Sequence, residues 1–180
     1  LLSRNPDLVG LVAFILGTAP RLGDMLARQP QIMDGLIDPR FFGAALDSAF
    51  FAEHAARLYA IEYDEDFLDA ARLIAQEDLF AIGVRALSGA IDPVDAGPAF
   101  SALADRLLDA TLDHVQKAFA QEYGRVPGGR LAILAMGKLG SREMTATSDL
   151  DLVIVYDFDE ASNESDGRRP LHAVQYYTRL

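Results

Sequence analysis

The sequence predicts an α+β chain, with a mostly helical N-terminal region over residues 1–128 and a short strand–turn–strand unit over 129–180. Three observations predict it. Apolar residues recur at helical spacing from Leu8 to Phe119. That pattern stops at Pro127-Gly128-Gly129. Beyond it stand two short apolar runs, bounded by glycines on one side and an acidic stretch on the other.

The elements follow in order. Pro6-Asp7 opens a helix whose stripe is Leu8, Leu11, Val12, Ile15 and Leu16, and Gly17-Thr18 ends it. Pro20 opens the next at a first-turn position, where its missing N–H is no loss. Gln29-Pro30 breaks that helix, and Ile32, Met33, Leu36 and Ile37 predict a third up to Asp38-Pro39. Longer helices are predicted near 44–60, 65–88 and 95–123, the last two separated by Asp92-Pro93 and Ala96-Gly97-Pro98. Glu62, Asp64, Glu65 and Asp66 read as the start of one of them, where negative charge is favoured. Arg130–Met136 is an apolar run that predicts a buried strand, and Asp149–Tyr156 predicts a second, entering the core at its C-terminal end. Residues 137–148 form a turn plus a short helix, 157–169 an acidic loop, and Pro170 begins a last helix carrying Tyr176 and Tyr177 against the sheet. A sheet of two strands is incomplete, so an exposed edge is expected.

Composition excludes several classes. The chain has 180 residues, of which 51% are hydrophobic, so disorder is not its main state. It has no cysteine, which removes disulfide scaffolds, thiolate metal sites and cysteine nucleophiles together. The formal charge is −11, which argues against non-specific nucleic-acid binding and against anionic membranes. Most of the acid lies in residues 1–128, which hold 10 basic and 19 acidic side chains. No apolar run approaches the about 18 residues of a membrane span, and no secretory signal is legible. The chain begins Leu1-Leu2-Ser3 and stops inside an amphipathic segment at Leu180, so a piece of a longer cytoplasmic protein is expected.

The chemistry concentrates in Met136-Gly137-Lys138-Leu139-Gly140-Ser141 and Ser148-Asp149-Leu150-Asp151-Leu152. On a strand, residues i and i+2 share a face. Asp149 and Asp151 would then stand side by side, with Leu150 and Leu152 toward the core. Two adjacent carboxylates repel, and a divalent cation removes that penalty. Oxygen donors without His or Cys select Mg²⁺ or Mn²⁺, with water and phosphate oxygens completing the shell. Gly140-Ser141 would let backbone N–H groups approach a phosphate closely. A phosphate turn followed by a metal-binding D-x-D is the apparatus of nucleotidyl transfer. Either part alone is more often plain surface; the combination is the specific signal. It is not a P-loop, since Leu139 follows Gly137-Lys138 and the earlier glycine of that motif falls at Ala132. Lys138 is a candidate for steadying a triphosphate, and Ser148 for orienting the strand entry. Arg142 and Glu143 suggest a local ion pair. His54, His114 and His172 show no metal spacing and read as surface or packing residues.

These strings resemble the glutamine synthetase adenylyltransferase family of the polymerase-beta-like nucleotidyltransferase superfamily. That family carries M/Y-G-K-L-G-G-x-E-L and then S-D-I/L-D-L. Here Ser141 stands for the second glycine, as in the wider superfamily, and Met144 for the usual Leu. The resemblance is specific over 134–156 and looser over 40–128. It implies an incomplete nucleotidyltransferase palm, a mixed β-sheet with helices, in the second part. It implies Asp149 and Asp151 as catalytic metal ligands, Gly140, Ser141, Lys138 and Ser148 as nucleotide-binding residues, Mg²⁺ as cofactor and ATP as substrate. The implied reaction moves AMP to a tyrosine of glutamine synthetase, with a PII-type regulatory protein as a further partner. The lead Leu16-Gly17-Thr18-Ala19-Pro20-Arg21-Leu22 resembles the segment before the adenylylating domain. The AMP-removing half of the same enzyme, or a non-catalytic helical interaction module, are the alternatives. The family places a third acidic ligand on a later strand, so the isolated chain is expected to be inactive; Asp157 and Asp159, beyond the second strand, are not substitutes for it.

Overall fold

Proline and glycine punctuate the helices where the sequence puts them. The computed structural model describes residues 6–32, 46 and 48–180. Helix α1 spans Pro6–Thr18 and α2 spans Pro20–Arg28, with proline in the first turn of α2. A 3₁₀ turn, Pro30–Ile32, follows. The expected helical stripe through Met33, Leu36 and Ile37, the break at Asp38-Pro39 and the start of the 44–60 segment lie outside the described residues. Helix α3, Ser48–Ala55, runs into a 3₁₀ stretch over Ala56–Ala60. Helix α4, Asp64–Leu87, has Asp64, Glu65 and Asp66 in its first turn, as the charge pattern predicts. Ile15, Leu22, Leu26 and Ile32 pack on Phe80 and Val84 of α4.

Helix α5 is longer than expected. It spans Pro93–Tyr123, capped by Asp92, whose side chain accepts the Val94 N–H at 2.9 Å. Gly97-Pro98 therefore lies inside the helix rather than before it. The cap fixes the first turn, and Pro98 removes only the bond to the carbonyl of Val94, a residue exposed at the helix start. Glycine at 97 admits the close approach of the Arg142–Glu143 backbone from outside the helix.

Strand β1, Arg130–Ala135, pairs antiparallel with β2, Leu152–Asp157, in the register Arg130↔Asp157 to Ala135↔Leu152. One further bond, Met136 N–H to Asp151 O at 2.8 Å, extends the ladder. The expected second strand from residue 149 thus begins at Leu152. After β1 the chain turns at Gly137 into the four-residue helix α6, Gly137–Gly140, and among the described residues Asp149 and Leu150 have no ladder partner.

The expectation of buried strands is also corrected. Leu134, Val153, Ile154, Val155 and Tyr156 are each 40–60% exposed. Continuous apolar sequence marks strands made for cover on both faces, and in this two-stranded sheet most of that cover is not supplied by the described residues. Helix α7, Ala173–Arg179, covers part of it: Tyr177 stacks on Tyr156 with ring centroids 4.8 Å apart. Tyr176 is buried against Phe119 of α5 and donates its hydroxyl to Gly124 O at 3.0 Å. The main helical core joins Phe51, Ile82, Phe100 and Leu103 from α3, α4 and α5. Two residues from the segment between the strands, Leu139 and Met144, complete it.

Candidate functional site

The site is built around the end of α6. Leu139 is 1% exposed and anchors this turn in the helical core, while its neighbours Lys138, Gly140 and Ser141 stay on the surface. The helix closes by two reversed bonds: Glu143 N–H reaches Lys138 O at 2.8 Å, and Arg142 N–H reaches Leu139 O at 3.2 Å. This is a Schellman closure, with Arg142 at the position that takes a left-handed backbone. Its φ is 62°, and among the described residues no other non-glycine has a positive φ.

Gly140 is needed for packing at this point: a Cβ would meet Ala135 O at 2.6 Å. The amide of Gly140 donates to Met136 O at 3.0 Å and that of Ser141 to Gly137 O at 3.1 Å. The two amides expected to approach a phosphate are therefore used inside the turn. The Ser141 hydroxyl is exposed and donates to the Glu143 carboxylate at 2.9 Å. The expected ion pair between Arg142 and Glu143 is not formed. Arg142 pairs instead with Asp105 of α5, and Glu143 takes the Ser141 hydroxyl, because the left-handed residue turns the two side chains to different partners.

Asp149 and Asp151 lie just before β2, both exposed. Neither carboxylate makes a hydrogen bond or ion pair among the described residues. Asp151 sits over Gly137, whose φ is +51°; a Cβ there would collide with the Asp151 carboxylate. The Asp151 carboxylate is thereby brought to the head of the Lys138–Ser141 turn. Leu150 departs from expectation: it is 47% exposed, while Leu152 is partly buried against the helical core. Ser148 closes the preceding turn. Its hydroxyl accepts the Thr145 N–H at 2.9 Å and its own amide donates to Thr145 O at 3.1 Å, which fixes the chain just before Asp149.

Two free, exposed carboxylates with no nitrogen or sulfur donor suit Mg²⁺, which keeps water and phosphate oxygens as most of its shell. Among the described residues no group of three or more His, Cys, Asp or Glu side chains could hold a metal ion. Asp157 ends β2 opposite Arg130, at the far end of the ladder from Gly137, and Asp159 accepts the Ala161 N–H in a 3₁₀ turn. The histidines have other work. His54 bonds Asp78 at 2.7 Å, His114 stacks on Phe67 and bonds Asp64 at 2.8 Å, and His172 caps α7.

Sequence reasoning missed Gly137, Gly97, Asp105 and the role of Arg142. Only the glycine of Met136-Gly137 carried a signal, since a glycine directly after a strand often marks a positive φ. The contact of Asp105 and Gly97 with residue 142 spans about 40 positions and leaves no local trace.

An α+β chain with a strand, a glycine-rich turn and an acid pair leading into an antiparallel partner has the arrangement expected of a nucleotidyltransferase. Comparison with known proteins places it within that class. A family model described as glutamate-ammonia ligase adenylyltransferase matches residues 9–180, and the chain belongs to this family. A relative from Rhodopseudomonas palustris, named bifunctional glutamine synthetase adenylyltransferase/adenylyl-removing enzyme, is 56% identical over 100% of this chain and 18% of its own length. Relatives of the same name from a Bradyrhizobium species and from Brucella suis are 53% and 45% identical over the same shares. The chain thus spans about a fifth of the length of the curated relatives it matches. Among the described residues no single helix is long and apolar enough to cross a membrane.

Proposed function

We propose that this chain, as part of a longer cytoplasmic protein, forms part of the site that transfers AMP from ATP to a tyrosine of glutamine synthetase. The observation that carries the reading is the Asp151 carboxylate held over Gly137, at the head of the turn that ends in Gly140-Ser141.

Asp149 and Asp151 would hold Mg²⁺, which when bound neutralises the triphosphate and the pyrophosphate leaving group. The residues of the chain bind and orient. Lys138 is exposed at the turn and supplies a cation to the phosphates. Ser141 offers its hydroxyl once the Glu143 carboxylate releases it. Ser148 keeps Asp149 in register by closing the Thr145 turn. The acceptor is the phenol oxygen of the target tyrosine, which bonds to the α-phosphorus as the bond to pyrophosphate breaks. A PII-type protein is the regulatory partner this reading includes.

The test uses the full-length protein, α-labelled ATP and unmodified glutamine synthetase, with Mg²⁺ varied. Asp149→Asn should lose AMP transfer at every Mg²⁺ concentration while the protein stays folded, because the carboxylate is exposed. Transfer near the wild-type rate would refute the site.

A further inference from the structure

We propose that α5 positions the nucleotide turn, with Asp105 and Gly97 as positioning residues acting through Arg142. The proposal rests on the reading above, in which the Ser141 turn meets the phosphates of ATP.

Arg142 occupies the closing position of the Schellman motif at φ 62°, where glycine is the usual residue because a side chain disfavours that backbone. Two features of α5 hold it there. Asp105 pairs with its guanidinium, and the Asp105 side chain is only 28% exposed. Gly97 lies beneath its carbonyl, where a Cβ would stand 2.9 Å from Arg142 O and 3.3 Å from the Glu143 Cα. A glycine inside a helix weakens it, so this one is explained by the approach of residues 142–143. The same backbone carries the bonds from Arg142 to Leu139 and from Glu143 to Lys138 that close the turn around Ser141. The geometry of the turn is thus set from a helix some 40 residues earlier in the chain. Any shift of α5 along this contact changes the fraction of protein whose turn is ready for ATP. Apparent affinity falls by that fraction, while the complex once formed is the same.

The experiment measures AMP transfer by the full-length protein for Asp105→Asn, Gly97→Ala, Arg142→Gly and the double variant Asp105→Asn with Arg142→Gly. Asp105→Asn should raise KM for ATP about fourfold, the scale of a partly exposed ion pair, with kcat within about twofold of wild type. Gly97→Ala should raise KM about tenfold, since the added Cβ displaces a backbone already in a sparsely populated region. Glycine at 142 adopts this φ unaided, so Arg142→Gly should leave KM near wild type, and Asp105→Asn should then add nothing. An unchanged KM in both Asp105→Asn and Gly97→Ala would overturn the proposal. So would a fall in thermal stability with KM intact, or a KM rise from Asp105→Asn that persists beside Arg142→Gly. Asp151→Asn, run in parallel, separates the two readings. If it retains transfer, the site itself is misplaced; if it loses transfer while the α5 variants change nothing, only the positioning role fails.

Discussion

The carboxylate of Asp151 lies over Gly137, so close that a Cβ on Gly137 would strike it. Gly137 opens α6 and Asp151 precedes β2, and the Met136 N–H bond to Asp151 O at 2.8 Å locks the two segments together. Asp151 and the turn are one unit because a glycine with φ +51° lets them touch.

Gly137→Ala should therefore damage function beyond its effect on stability. The positive φ costs an alanine about 1–2 kcal/mol, and the collision displaces Asp151. A displacement of about an ångström costs on the order of a hundredfold in rate. Gly89→Ala is the control: its φ is +73° with open space around it, far from the turn in sequence. It should lower the unfolding midpoint similarly and leave AMP transfer unchanged.

Leu139 tests whether the turn is mounted on the helical core. Leu139→Ala should destabilise the chain by about 3 kcal/mol, the usual result for a fully buried leucine that leaves a cavity. Met144→Leu conserves volume in the same core and should cost less than about 1.5 kcal/mol. Urea unfolding followed by circular dichroism measures both.

His54 makes stability depend on pH. Its hydrogen bond to Asp78 raises its pKa above the ordinary imidazole value; burial works against this, and the Coulombic field of Asp78 adds to it. Arg57 lowers the pKa slightly and Glu53 raises it. The folded state therefore holds the proton more tightly than the unfolded state. The stabilisation is complete below the unfolded value of about 6.5 and is lost as pH rises through the raised folded pKa. Urea midpoints taken at about pH 6 and about pH 8.5 should show the decline in the wild type and a flatter profile in His54→Gln.

Much of this fold is legible in the sequence, for reasons visible at particular residues. Pro20 and the acidic triad at 64–66 act within one helical turn, and they mark helix starts correctly. The change of periodicity at Gly128-Gly129 locates β1 to within a residue. Gly97-Pro98 misleads because the reason for that glycine is the backbone at 142–143, which no local pattern reveals. Val153–Tyr156 misleads in another way, since its hydrophobicity reports the cover the sheet is made for rather than the exposure it has here. At the site, residue types and spacing point to Asp149, Asp151 and the Gly-Ser turn. The manner of their joining, through Gly137 and the left-handed Arg142, depends on backbone conformation alone.

The most direct measurement is of both activities carried in the relatives' name, AMP transfer to glutamine synthetase and AMP removal from it, on the same full-length preparation of wild type and Asp151→Asn. If Asp151 holds Mg²⁺ for transfer, as proposed, its loss reduces AMP transfer roughly a thousandfold. Removal should stay within about twofold of wild type, since the substitution alters one exposed carboxylate and leaves the fold intact. Transfer at the wild-type rate would contradict the account, and so would loss of removal with transfer unchanged, which would assign Asp151 to the opposite reaction.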